Sequence, residues 1–557
     1  MEKLVHTWAP NATAKSLGAA GSRALMETAG NSPAWTVLML CGIYFVVRCI
    51  YNLYFHPLRK IPGPRVAAMT SFYDFWYDVV KGGTYLWEIR KMHDIYGPIV
   101  RINPNEVHIN DPNYYHNIYA GGSRRVDKDP STLAGFAVPA SVAATVDHGL
   151  HRQRRGYMNP YFARRSIVSM EPLIHERITA MLSRLDQARE AGTPISLDKA
   201  FSAMTADIIT SHFFGYHYDY LSIPDLQDPI REGFKGISEM FHWTRFVPWL
   251  PLTMKALPVS VIRRAQPAVA DLLDLRGSFE KNIKRIIQAK DASDPASKSV
   301  IIEALSDARI PPKERGMGRL VDEGQVILFA GTENSARALA IGMFHLLENR
   351  ELLAKVRDDL IKVVGIPDEE LTLQSLEALP YLTGVVKESI RLSYGPVTRL
   401  PRVATEETLQ YKEYAIPPGV SPPRVPAFSE FASLTRHGSQ TPVSQISYFV
   451  HTNEDIFPEP FCFNPDRWVQ AAQRGFPLNN YLASFTKGSR QCLGMGLAYA
   501  EIYLTFARLL RSFDMDLFKT TIEDTQIHKA FVIGQPRIVK GKGEGQGEVK
   551  VVVTAKL

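Results

Sequence analysis

Cysteine is scarce in this chain: 557 residues hold four, Cys41, Cys49, Cys462 and Cys492. Two of them fall inside one apolar stretch near the N-terminus, so the four make no disulfide framework, and a reducing compartment suits the rest of the chain. A dominant charge sign is missing too. The formal net charge is +7, with basic residues scattered among acids, and no basic stripe interleaved with aromatics stands out. The electrostatic footprint of nucleic-acid binding is therefore lacking. So are internal repeats and any long polar linker after residue 65. One large domain accounts for a length that alone would suggest several.

Of what is present, an uncharged apolar run comes first, from Ala34 to Val47, extended to Phe55 with Arg48 and Asn52 as interruptions. Arg48 can snorkel, and Trp35, Tyr51 and Tyr54 suit the two interfaces of a bilayer. The long preceding segment and the lack of a small-x-small cleavage site argue against a removable signal peptide. Basic residues slightly favour the C-terminal flank (Arg48, Arg59, Lys60, Arg65) over the N-terminal one (Lys3, Lys15, Arg23). The expectation is one transmembrane helix over 34–55, residues 1–33 in the lumen and the body in the cytosol. Asn11-Ala12-Thr13 would then be a lumenal glycosylation acceptor. A helix lying on the membrane or inside the core is the alternative.

Beyond residue 70 the periodicity is mostly helical. Glu171 to Ala188 and Val261 to Ala289 repeat apolar residues every three or four positions. Short strand-like pieces occur at Ile99 to Ile102, Val107 to Ile109, Gln445 to Val450 and Val549 to Thr554. The pattern predicts a mainly α domain with a small β-sheet region.

The chemistry concentrates near Cys492, in Phe485-Thr486-Lys487-Gly488-Ser489-Arg490-Gln491-Cys492-Leu493-Gly494. One cysteine sits in a glycine-bracketed loop, and an apolar helix follows from Leu497 to Leu510. A thiolate there meets the positive end of a helix dipole. Gly488 and Gly494 permit backbone angles and close approaches that a side chain would block. Phe485 offers a ring, and Arg490 a cation. The pattern F-x-x-G-x-R-x-C-x-G resembles the haem-binding loop of the cytochrome P-450 superfamily. The resemblance implies the cytochrome P-450 fold, haem b (iron protoporphyrin IX) as cofactor and Cys492 as the axial thiolate of its iron. Phe485, Gly488, Arg490 and Gly494 would be the loop residues that hold the haem.

Other segments fit the same family. Tyr54-Phe55-His56-Pro57-Leu58 and Pro62-Gly63-Pro64 resemble the hinge of microsomal members of filamentous-fungal type, which gives a Pro-rich hinge over 56–65 and a haem-thiolate catalytic domain over 66–557. Glu388-Ser389-Ile390-Arg391 puts Glu388 and Arg391 on one helix face. Phe463-Asn464-Pro465-Asp466-Arg467-Trp468 resembles the P-E-R-F segment, which makes Arg467 the third member of a buried Glu-Arg-Arg network. Asp147 to Arg155 resembles the W-x-x-x-R helix, with His151 at the Trp position and Arg155 at the Arg position. Both would meet a haem propionate, and Arg402 is a further propionate partner.

Ala330-Gly331-Thr332-Glu333-Asn334-Ser335 resembles the oxygen-binding helix, A-G-x-[DE]-T-[TS]. Ala330, Gly331, Glu333 and Asn334 are the candidate catalytic residues. Gly331 costs about 1 kcal/mol against Ala in a helix interior. Room above the iron or close helix packing would justify it. The usual threonine is Asn334 here, and a carboxamide does not readily pass a proton on. Ser335 lies about 100° round the helix and is not a simple substitute. Phe234, Met240, Phe241, Trp243, Phe246, Trp249 and Leu252 resemble the substrate lid, and Leu133, Phe136 and Val138 the second pocket loop.

The resemblance implies a membrane-anchored monooxygenase of the endoplasmic reticulum. Its electrons would come from an NADPH-dependent cytochrome P-450 reductase, with cytochrome b5 as an auxiliary donor. It would place one oxygen atom from O2 into an apolar small molecule, a terpenoid or other secondary metabolite. Asn334 also suits a haem-thiolate isomerase or dehydratase that needs no reductase, and an inactive haem-binding relative is a third class. Finally, Val420 to Gln440 interrupts the family pattern. Removing these 21 residues joins Pro417-Pro418-Gly419 to Thr441-Pro442-Val443. Val420-Ser421 and Gln440 can be encoded with splice-site sequences and Leu434-Thr435 with a branch-site core. A translated intron is expected, with a surface insertion as the alternative.

Overall fold

The computed structural model describes residues 33–215, 218–226, 229–288, 300, 307–363, 365–419, 441–538 and 546–557. Residues 1–32, with the Asn11 acceptor, and the 420–440 segment lie outside the described residues.

Two helices form the centre. The longer, Met317–Glu348, has 32 residues, buried along most of its length. Beside it runs Leu197–Phe214, started by the Ser196 side chain, which accepts from the Lys199 N–H, and ended by Gly215 at φ +71°. The pair packs closely where Gly331 of the longer helix meets Ile209 of the other. Thr205 donates to the Thr332 carbonyl across the contact at 3.1 Å. Helices Glu171–Ala191, Pro380–Ser393 and Met495–Ser512 surround this pair and share its hydrophobic core.

A five-stranded sheet flanks the helices in the order β1(Ile99–Arg101), β2(Val107–Ile109), β8(Val443–Ser444), β5(Arg402–Ala404), β3(Val126–Lys128). A second sheet joins β4(Ile195–Ser196), β12(Lys550–Lys556) and β9(Phe513–Leu517); β6(Leu409–Tyr411) pairs with β7(Tyr414–Ile416), and β10(Lys529–Ala530) with β11(Gly534–Gln535). The mainly α fold with small sheets is the one expected. Two expectations fail locally. Gln445 to Val450 is not a strand: Ser447–His451 is helical, held by Ser447 Oγ on the Tyr394 and Pro396 carbonyls. An unbroken run of buried residues carries no period that separates helix from strand. The run from Val261 is two helices, Val259–Ala265 and Pro267–Gln288, because Pro267 cannot continue the first.

The N-terminal helix Pro33–Tyr54 is long and apolar enough to cross a membrane, and little of it is covered by protein. Its C-terminal end is docked rather than tethered. Buried Arg101 donates to the Asn52 carbonyl at 2.8 Å, and the Asn52 amide donates to the Met69 carbonyl at 2.9 Å. The Pro-rich hinge follows as a short 3₁₀ turn, Pro57–Lys60, packed through buried Leu58 and Ile61.

Candidate active site

A cavity of about 350 Å³ lies between the long central helix, the Cys492 loop and the β3/β5 edge. Cys492 is exposed to this cavity although it lies deep in the protein. Its N–H donates to the Phe485 carbonyl at 2.9 Å, which closes the loop on itself. Burial pushes the thiol pKa up, while the Gly494 N–H and Arg155 pull it down without winning. The protein alone therefore favours the thiol, and a coordinated cation is what would ionise it. Among the described residues no cluster of three His, Cys, Asp or Glu could hold a metal, so one sulfur is the metal ligand on offer.

The loop's glycines differ in role. Gly488 stands at φ +72°, and a Cβ there would come within 2.2 Å of the Ala120 carbonyl oxygen. It is required by protein backbone, not by room for a macrocycle. A Cβ on Gly494 would meet only Phe162, in ordinary contact at 3.9 Å. Phe485 lines the cavity and packs on Tyr499, ring centroids 5.5 Å apart.

Arg490, Arg402, Arg155 and His151 all line the cavity, as expected of them. Arg490 donates to the carbonyls of Thr145 and Val146 at 2.6 Å, and Arg155 to the Gln491 carbonyl at 2.6 Å. Arg402 donates to the Leu400 carbonyl at 2.9 Å and covers the Tyr119 ring. Burial, then the neighbouring cations Arg490, Lys128, Arg155 and Arg402, lower the His151 pKa to about 2, so its ring is neutral. Burial brings Arg490 down to about 9.

Lys128 completes this group, and sequence reasoning missed it. It is the direct cross-strand partner of Arg402 in β3/β5. Its ammonium donates to the Ala143 carbonyl, and burial followed by Arg402, Arg490 and Arg155 holds its pKa well down. Two cations directly opposite on a sheet repel. The Nε atoms of Arg402 and Arg490 are buried without a partner. Such a box fits an incoming pair of carboxylates, which is what a haem edge presents. No local spacing relates residue 128 to residue 402, and only the strand pairing joins them.

On the central helix Ala330, Gly331, Asn334 and Ser335 line the cavity. The Asn334 amide donates to the Ala330 carbonyl at 3.0 Å. A Cβ on Gly331 would come within 2.7 Å of Ile209, so helix packing accounts for this glycine. Glu333 is not among the cavity-lining residues. Its carboxylate turns to Ser202, which donates to it at 2.7 Å, and burial raises its pKa against the pull of Arg231. Leu133, Phe136 and Phe241 form apolar wall, whereas Val138 is buried outside the lining. Phe234 is buried against Phe329, while Trp243 and Trp249 are exposed.

Glu388 gathers the two arginines expected of it. Arg391 binds it with two hydrogen bonds, of 2.9 and 2.7 Å, and Arg467 with one of 3.1 Å. Trp468 donates its indole N–H at 2.8 Å and Asn464 its backbone N–H at 3.0 Å. Burial opposes ionisation here, but Arg391 and the other donors hold the carboxyl below its ordinary pKa.

Comparison with known proteins agrees with this geometry. The family described as Cytochrome P450 matches residues 65–421 and 439–539. The chain is 47% identical over 535 residues to Cytochrome P450 monooxygenase TRI4 of Trichoderma arundinaceum, covering 96% of this chain and 99% of that one. It is 44% identical over 517 residues to Cytochrome P450 monooxygenase pbrB of Penicillium brasilianum, covering 92% and 95%. Conidiogenone synthase PchP450 of Penicillium rubens is 40% identical over 498 residues, covering 89% and 94%.

Proposed function

The chain belongs to the cytochrome P-450 family and is a haem-thiolate monooxygenase related to fungal enzymes of secondary metabolism, and from that premise we propose its finer role. It oxidises an apolar secondary metabolite, a terpenoid or similar skeleton, on haem b, with electrons from an NADPH-dependent reductase. It works at the endoplasmic reticulum membrane, anchored through 34–55 with its catalytic domain in the cytosol. The observation that carries this is the joint presence at one cavity of a cavity-facing thiol and a group of cations, two of which, Arg402 and Arg490, keep a buried Nε without a partner.

Haem held by Cys492 supplies the activation of dioxygen that no side chain here provides. Lys128, Arg155, Arg402 and Arg490 would bind its carboxylates, with neutral His151 as a further donor. Leu133, Phe136 and Phe241 exclude water and receive apolar carbon. One amide donor of Asn334 is spent on Ala330, so this side chain can orient water but has no proton to release.

Asn334 is also the observation behind a second reading, an isomerase or dehydratase that needs no reductase. One experiment separates the two. Cells with and without the protein are grown under heavy-isotope dioxygen and their metabolites compared. The monooxygenase reading expects a new metabolite carrying one heavy oxygen atom. A new isomer with no label, formed without NADPH, would favour the second reading.

A further inference from the structure

Away from the cation group, several polar side chains of the cavity wall are spent within the protein. Thr132, Ser393 and Thr525 donate their hydroxyls to the carbonyls of Asp129, Ile390 and Ile522 at 2.9, 2.9 and 2.8 Å. Arg337 donates to Asp198 at 3.1 Å and to the Asp524 carbonyl at 2.8 Å. Arg399 differs. It lines the cavity beside Pro396 and Leu400 and is 5% exposed. Its Nη2 donates to Asp78 at 2.9 Å, and its Nε stands 3.9 Å from Glu106. The guanidinium lies over the buried Tyr85 ring, 4.7 Å from the centroid. Nη1 is buried and has no hydrogen-bond partner among the described residues. Burial works against the charge of Arg399, but Glu106, Asp78 and Asp74 outweigh it and hold the pKa above the ordinary arginine value. The group is therefore always a donor. A buried donor on a charged group is costly to leave unmade, which points to a partner that the fold does not itself supply.

We propose that Arg399 determines specificity in this cavity: its Nη1 donates to a neutral oxygen of the substrate, a hydroxyl, ether or carbonyl carried by an otherwise apolar skeleton. The planar fork suits this task, because the acids fix one edge and leave the other already oriented. The acceptor is neutral because no cation is in excess here. Asp74, Asp78 and Glu106 face two guanidiniums, those of Arg245 and Arg399. A substrate carboxylate would bring a fourth acid to this buried cluster. Leu133 and Phe136 take the apolar remainder. A pure hydrocarbon of the same shape leaves Nη1 unpaired and is disfavoured for that reason. The proposal deepens, and rests on, the reading of this cavity as the substrate site of a monooxygenase.

Binding to the haem-loaded enzyme, measured by equilibrium dialysis without reductase, tests it. The probes are adamantane, adamantanone and adamantanecarboxylate, which share one skeleton. Arg399→Lys keeps a cation for Asp78 and loses the second edge of the fork. The preference for the ketone over the hydrocarbon, read as the ratio of their dissociation constants, should fall about tenfold in this variant. Adamantane binding should change little. A merely structural role would weaken both probes alike, so an unchanged ratio would overturn the proposal. So would a wild type that does not bind the ketone, or that binds the carboxylate more tightly than the ketone. The infrared spectrum of bound adamantanone needs no variant. Its carbonyl stretch in the wild type should lie at lower wavenumber than in hexane and return toward the hexane value in Arg399→Lys. If Arg399→Lys does not fold, the wild-type band decides, and an unshifted carbonyl would overturn the proposal. A wild type that consumes no NADPH when reductase is added contradicts the monooxygenase reading instead and leaves the binding result standing.

Discussion

Glu388 accepts five hydrogen bonds from four residues at zero exposure, so nothing but those donors offsets its lost hydration. Breaking one side of such a set costs about 3–5 kcal/mol. Glu388→Gln should therefore lower the denaturation midpoint and haem content together, and an unchanged midpoint would contradict this. The pH dependence follows from the sign of the shift. A carboxyl with a depressed folded pKa stabilises fully above its unfolded value and loses that contribution as pH falls through the folded one. The loss belongs to acid, with no counterpart above neutrality. Lys128 makes a second prediction with two arms. Lys128→Met removes repulsion with Arg402, so the haem-free chain should melt at the same or a higher temperature, while haem should leave faster for a competing apoprotein. A mutant that loses stability without losing haem would show that Lys128 is structural. Glu388, Arg391, Arg467 and the Cys492 loop were legible in the sequence because their motifs are local. Lys128 was not, because its place beside Arg402 arises from a strand pairing that no spacing encodes.

Between elements, one buried ionic cluster ties the helix Pro229–Phe246 to the cavity wall. Arg245, at the end of helix Pro229–Phe246, meets Glu106 at 3.0 Å, Asp74 at 3.3 Å and Asp78 at 3.7 Å. Arg399, which lines the cavity, donates to Asp78 at 2.9 Å. Arg245→Met leaves three buried carboxyl groups facing Arg399. Burial brings Asp74 up to about 8, so that group holds a proton near neutrality and softens the loss, and the low end of the ~3–5 kcal/mol range applies. Amide hydrogen exchange over residues 229–246 should accelerate while the central helix stays protected. Unchanged exchange would mean that the cluster does not hold this helix. The aromatic residues around Trp243 and Trp249 were visible as a cluster in the sequence. The ionic contacts were not, since the partners come from the segments around residues 74, 106 and 399.

Across the whole molecule, the described residues on either side of 420–440 meet a single strand. The Gly419 N–H bonds the Ala404 carbonyl at 2.8 Å, and Val443 pairs with Arg402 on the same β5. Family matching also breaks at this place, between residues 421 and 439. We infer that the fold closes without the segment. A chain lacking 420–440 should bind haem and melt like the full chain, and transcript sequencing should find the corresponding codons removed. A haem-free or unfolded deletion variant would contradict this. The proposed function requires Cys492 to hold a haem iron as its thiolate. The direct measurement is the absorption spectrum of the reduced, carbon monoxide-bound protein. The wild type should give the red-shifted Soret band of thiolate ligation, and Cys492→Ser should lose it. A band of the imidazole type in the wild type, or a red-shifted band that survives Cys492→Ser, would contradict the assignment of Cys492.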